Sequence, residues 1–222
     1  MAKRMLVHWG GGSGDSPFEA ALTLLTATPI EIGADLASPT FNAAYAGGVE
    51  TFAELSDDDG NPVQDVLGSA NPITRAFTYN KTVVGDTVTF TLTANDGGPN
   101  VTDAEVATWL PRLYYGVDAN AALATEADIE ALANSLLGAD KALSTTLAPV
   151  AEYIYYAFPV SFAAAALDFQ FGAFPGGFTQ VVASVPVTAN TAGAPTLNYQ
   201  IWRSTFAQDT TVTGPLAFNV AA

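Results

Sequence analysis

The sequence predicts an all-β protein built as two immunoglobulin-like antiparallel β-sandwich domains, the second carrying one short helix. Three observations carry this prediction. Asp86 to Asp96 reads DTVTFTLTAND, with Val88, Phe90 and Leu92 on one face and Thr87, Thr89, Thr91 and Thr93 on the other. That two-residue period is what a half-buried antiparallel strand requires. Short β-prone runs recur along the chain with turn residues between them, the texture of a β-sandwich. Proline and glycine punctuate these runs rather than interrupt them, as at Pro149, Pro159, Gly176, Pro186, Gly193 and Gly214.

At 222 residues and 49% hydrophobic content the chain has material for one large or two small cores. The predicted organisation is an N-terminal arm over 1–28, a sandwich over 29–111 and a second sandwich over 112–222, with a helix at about 125–137. Within 1–28, GGGSG has linker composition. Ser16-Pro17 followed by FEAALTLLTA predicts a short helix with Phe18, Leu22 and Leu25 on one face. Two readings of this segment stand: a tail with local packing, or an arm that docks on a neighbouring subunit. In the second, Lys3 and Arg4 orient the arm toward an acidic surface, and Leu6, Trp9, Phe18 and Leu22 supply the burial.

In the first sandwich, strands are expected at 40–45, 50–55 and 73–79, with SDDDGNP as a turn. The strand over 86–96 turns at NDGGPN and returns as TDAEVATWLPRLYYG, so 86–115 reads as a hairpin. The helix follows. Thr125 is its N-cap, Glu126 and Asp128 complement the positive end of its dipole, and Gly138 suits the C′ position. Ile129, Leu132 and Leu136 form one apolar stripe, which suits a cover over an end or edge of the sandwich. Further strands are expected at 143–147, 152–158, 166–172, 178–185, 197–204 and 214–221.

The chain carries 22 acidic and 7 basic residues, a formal charge of −15. Nucleic-acid partners draw on clustered Lys and Arg, and here the basic residues are scattered, so none is expected. An acidic surface suits a protein kept soluble at high local density, or one in a salty environment. There is no cysteine, hence no disulfide or thiolate metal site. The apolar run Met5-Leu6-Val7 breaks at His8-Trp9, so neither a signal peptide nor membrane insertion is expected.

Catalysis finds few residues. His8 is the single histidine and sits beside the glycine-rich stretch, and no G-x-S-x-G occurs. No enzyme activity, cofactor or resident metal is expected. DDDGN at 57–61 and VDAN at 117–120 bring oxygen ligands together, but the EF-hand glycine and closing glutamate are missing. Both read as turns, with calcium at Asp57–Asp59 left open. Asp168, the one acid inside a strongly apolar run, reads as facing outward.

The aromatic residues say more. In EYIYYAF, Tyr153, Tyr155 and Ala157 alternate with Ile154, Tyr156 and Phe158, so neither face is ordinary solvent surface. The strand is buried on both sides, or one aromatic face meets another subunit or a sugar. In the latter cases Tyr153, Tyr155, Tyr156 and Trp202 are the candidate contact surface.

Taken in order, TFTLTANDG, R-L-Y-Y-G-V, L-x-T-E-A-D-I-x-A-L, E-Y-I-Y-Y-A-F-P and Y-Q-I-W-R-S-T resemble a module of structural proteins of tailed-bacteriophage virions. Those proteins belong to tails, fibres and baseplates, and the module there follows an immunoglobulin-like domain. EIGADLASPTFNAAY and FTYNKT resemble the start of that domain. The resemblance covers 29–222, is most specific over 112–206, and leaves 1–28 outside. It implies a non-enzymatic particle component that assembles in the host cytoplasm, as a homo-oligomer and with other virion proteins. A tail, fibre or baseplate accessory protein is favoured. The alternatives are a capsid decoration or head-fibre protein, or an adhesin that binds a host surface glycan.

Overall fold

A computed structural model describes residues 17–162, 169–171, 174–175, 177–188, 195–211 and 214–221. The first strands are β1 (Glu19–Leu24), β2 (Ile30–Glu31), β3 (Asp35–Ala37), β4 (Thr40–Ala46) and β5 (Phe52–Asp57). They are followed by β6 (Gln64–Asp65), β7 (Ile73–Thr74), β8 (Thr78–Asn80), β9 (Thr87–Asn95) and β10 (Val101–Leu110). Then come β11 (Arg112–Asp118), the helix α1 (Glu126–Glu130), β12 (Asn134–Leu137), β13 (Leu143–Leu147) and β14 (Val150–Pro159). The chain finishes with β15 (Phe169–Phe171), β16 (Phe174–Pro175), β17 (Phe178–Thr188), β18 (Thr196–Ser204), β19 (Gln208–Asp209) and β20 (Leu216–Val220). The fold is all-β, with antiparallel sheets packed as sandwiches.

Two compact units are interleaved in sequence rather than divided at one point near residue 111. One gathers the described residues up to Thr26 with Pro39–Arg75 and Thr89–Val106; the other holds Ala27–Ser38, Ala76–Val88 and the chain from Ala107 on.

In the first unit, β1, β4 and β7 form one sheet, and the order β10-β9-β5-β6 forms the other. The alternation read in β9 sets the core: Phe90, Leu92 and Ala94 are buried, as are Leu22, Phe41 and Ile73 of the other sheet. The rings of Phe41 and Phe90 lie 4.9 Å apart. The segment expected as a helix at 18–27 is instead the strand β1, paired with β4 from Glu19↔Ala46 to Leu24↔Phe41. Its period-two residues, Ala20, Leu22 and Leu24, fit a strand as well as its i, i+4 residues fit a helix, and pairing with β4 decides. The outward backbone N–H of Leu22 is taken by the Asp103 carboxylate at 2.8 Å. The expected strand at 73–79 is split at Arg75, where β7 ends and the chain turns to β8.

The second unit is organised around the sheet β12-β11-β14-β18-β17, with β19 paired to β14. A second sheet, β13-β20-β15-β16, packs against one face. The helix is shorter than the predicted 125–137. Thr125 is the expected N-cap, and with Asp128 it forms a capping box, but α1 ends at Glu130. The chain then pairs with β11, Arg112↔Leu137 to Tyr115↔Asn134, because an unfilled strand edge satisfies these backbone groups better than further helix would. The predicted stripe therefore divides: Ile129 and Leu132 enter the core on one face of the sheet, while Leu136 packs on the core of the other face. Gly138 follows β12 rather than a helix. A Cβ there would collide with Leu113 Cδ1, so glycine lets that leucine fill the space.

Because Leu132 is 8% exposed within that cluster, Leu132→Ala is expected to cost about 2–4 kcal/mol through lost burial and the cavity left behind. Urea unfolding of the variant checks this. An unchanged midpoint would mean that α1 does not seal the sheet.

Candidate functional site

The candidate site is the aromatic set on β14 and its neighbours. β14 lies between β11 and β18, in register Tyr115↔Tyr156 on one side and Tyr156↔Trp202 on the other. A central strand alternates its side chains between two faces, and both faces are covered here. Tyr155 and Ala157 join Tyr114, Ile129, Leu132, Val187, Tyr199 and Ile201 under α1. Ile154, Tyr156 and Phe158 join Leu113 of β11 and Leu143, Leu147, Phe218 and Val220 from the second sheet.

This corrects the candidate contact surface. Tyr155 and Tyr156 are fully buried, so neither can touch a sugar or a second subunit. Tyr153 and Trp202 are half-buried. The guanidinium of Arg203 lies 4.4 Å from the Tyr153 ring centroid, a cation–π contact that covers a face a sugar would need. Trp202 donates its Nε1 hydrogen to Gln200 Oε1 at 2.9 Å, and Gln180 Nε2 donates to the same oxygen at 3.0 Å. Both residues also pack against the cores, Tyr153 on the α1 side and Trp202 on the other.

Three of the buried phenols have a backbone acceptor. Tyr155 donates to Asn120 O at 2.6 Å, Tyr156 to Lys141 O at 2.8 Å and Tyr199 to Arg112 O at 2.6 Å. These bonds tie the loops beside the sheet to its interior. Arg112 in turn makes a two-pronged ion pair with Glu31, Nε to Oε1 at 3.0 Å and Nη2 to Oε2 at 2.6 Å. Burial, with the Glu31 charge adding to it, pushes Tyr114 up to about 12. Burial also raises Tyr155, Tyr156 and Tyr199 above the ordinary phenol value.

The sign follows. A phenol with its folded value raised stays neutral in the fold, so its contribution is complete below about pH 10 and is lost as pH rises above that. Alkaline titration is expected to ionise these tyrosines together with loss of the circular dichroism signal. Titration of all eight tyrosines near pH 10 with the fold intact would contradict this packing.

The other sequence candidates separate. Leu22 is 2% exposed within β1, and Phe18, just before it, stacks on Tyr45 with ring centroids 6.2 Å apart. Both belong to the first unit's own structure rather than to a docking arm. Lys3, Arg4, Leu6, His8, Trp9 and Asp168 lie outside the described residues. At the acidic turn, the Asp57 carboxylate accepts from Arg75 Nε at 2.7 Å and from the backbone N–H of Asp59 at 3.0 Å, so it is engaged by protein donors rather than presented to a cation. Asp118 and Asn120 cap successive backbone N–H groups, those of Asn120 and Ala122, as turn residues do. No group of three or more His, Cys, Asp or Glu among the described residues can hold a metal ion. No helix among them is long and apolar enough to cross a membrane.

Two features carried no sequence signal. Phe206, just past the end of β18, is 74% exposed. Its carbonyl accepts from Ser204 Oγ at 2.8 Å and Gln208 Nε2 at 3.0 Å, which fixes the loop that displays it. The other is the Arg75–Asp57 pair, with both side chains fully buried. No protein-family model matches the chain, and neither a curated protein nor a solved structure matches it.

Proposed function

We propose that this chain is a non-enzymatic structural component of a tailed-phage virion that acts by assembly and attachment on the particle. A tail, fibre or baseplate accessory position is favoured over capsid decoration or a head fibre. One observation carries the reading. The segments that bear the resemblance, R-L-Y-Y-G-V, E-Y-I-Y-Y-A-F and Y-Q-I-W-R-S, are the adjacent strands β11, β14 and β18, and their aromatic residues fill two cores. The motif is thus a folding unit, and whatever the protein binds is met by its outer surface. Phe206 is the large aromatic side chain that the described surface exposes, which suits contact with another particle protein.

The adhesin reading is the weaker one. Of its four aromatic candidates two are buried, Tyr153 lies under Arg203, and Trp202 has its donor engaged.

Mass spectrometry of gradient-purified particles, with an antibody label imaged on intact virions, tests the proposal. The expected result is a fixed copy number and a label at one site on the particle. Absence from purified particles would overturn it. Binding on a glycan array that is lost in Tyr153→Ala would replace it with the adhesin.

A further inference from the structure

Sheet edges are where a β protein risks pairing with another chain, and this chain protects most of its edges. The outward side of β1 is capped by Asp103. At one end of the large sheet, β12 has only four residues. The strands β6 and β7, which end their sheets, have two residues each. β17 differs. It closes the other end of the large sheet, is the longest strand at eleven residues, and among the described residues has β18 as its only strand neighbour.

Its composition differs as well. The chain carries a charge of −15, yet between Glu152 and Arg203 the only charged side chain is Asp168. An interior stretch without charge, such as Tyr153–Pro159 of β14, needs no explanation, but β17 is not interior. Thr179, Gln180, Ala183, Ser184 and Pro186 are exposed. An open groove of ≈ 390 Å³, lined by Pro159, Val160, Ser184, Leu197 and Asn198 among others, continues this uncharged surface.

From these observations we infer that β17 is the surface through which two copies of this chain associate, strand beside strand about a two-fold axis. The charge distribution selects the occupant. Like charges brought together at an interface oppose association, and most of one copy's surface would set carboxylates against those of another. β17 against β17 is an apposition free of that repulsion, and a two-fold contact uses the same patch on both partners. The strand's irregularities set the extent. Its register with β18 shifts between Gln180 and Val182 and again between Val182 and Val185, and Pro186 has no N–H to donate. The paired stretch is therefore short, centred on Thr179–Ser184. Two-fold pairing consumes the edge, so the product is a closed dimer rather than a filament.

Sedimentation velocity of the full chain over a rising concentration series tests this. The wild type is expected to pass from monomer to dimer. Thr179→Glu with Ala183→Glu is expected to weaken association by at least about a hundredfold. Thr102→Glu with Ala104→Glu, the same added charge on exposed positions of β10, is expected to leave it unchanged. A wild type that stays monomeric, or two variants that shift equally, would overturn the inference. If the β17 variant does not fold, hydrogen exchange on the wild type decides: amides of β17 slow as dimer forms, and exchange there independent of concentration would sink the proposal. The virion reading does not depend on this outcome, since particle proteomics tests it separately.

Discussion

A chain that starts at Thr28 is expected to lose the structure of its first unit. The sequence reading places 1–28 outside the sandwich, as a tail or an arm that docks on a neighbouring subunit, so it expects the truncated chain to fold, and the experiment separates the two directly. The deletion removes β1 and with it the six-residue pairing to β4. It also removes Leu22 from the core and the Thr26 hydroxyl that accepts from the backbone N–H of Thr40 at 3.2 Å. Emptying a buried leucine position alone costs about 2–5 kcal/mol. Against a total stability of about 5–15 kcal/mol for an ordinary domain, losing a whole strand in addition leaves little margin. Circular dichroism should show reduced strand signal, and amides of β4, β5 and β9 should exchange rapidly. The milder variant Leu22→Ala should lower the urea midpoint without abolishing the transition. A truncated chain with wild-type dichroism and melting temperature would show that β1 is an accessory strand after all.

What the sequence reveals and conceals follows the range of the forces involved. β9 is readable because its Thr/apolar alternation is a local period that its burial reproduces position by position. The strands expected at 143–147, 152–158 and 197–204 appear as β13, β14 and β18, β-prone runs that the sequence bounds with turn residues although burial there does not simply alternate. The start of the helix is local chemistry too, since Thr125 and Asp128 need only each other's backbone. Its end is not local. β12 exists because β11 offers an edge, and that neighbour lies about twenty residues earlier in the chain. The same limit governs the aromatic site. EYIYYAF shows that neither face is simple solvent surface, but not whether protein of the same chain or a partner covers it. The cover comes from α1 on one side and from β13 and β20 on the other, elements that the pattern of seven residues cannot name. Phe206 is hidden by the opposite problem: nothing local marks an aromatic side chain as one left uncovered.

Asp57→Ala is expected to be among the most damaging single substitutions in the chain, a loss of about 3–5 kcal/mol. The reason is the asymmetry of the pair. Arg75 is fully buried, its Nε and Nη2 bound to Asp57 Oδ2 at 2.7 and 2.5 Å. Its Nη1 donates to Leu55 O at 3.0 Å and its Nη2 to Pro62 O at 2.9 Å, so the guanidinium knits β5 to the turn that follows it. Without the carboxylate, a buried guanidinium loses the counter-charge that its Nε and Nη2 bind. Arg75→Met removes the charge instead. The Asp57 carboxylate then keeps the Asp59 and Asn61 amides as donors, the latter at 3.3 Å, and can take up a proton. That variant should therefore cost less than Asp57→Ala, although the loss of two carbonyl partners keeps it destabilising. The double variant Asp57→Leu with Arg75→Met should recover part of the loss, because buried ion pairs replaced together by apolar side chains are often close to neutral. Urea denaturation of these proteins, with the single variant Asp57→Leu added to close the cycle, measures the coupling. Equal losses for the two single variants of that cycle, with the double variant at their sum, would show that the two groups do not act as a pair and that Arg75 is held by the carbonyls alone.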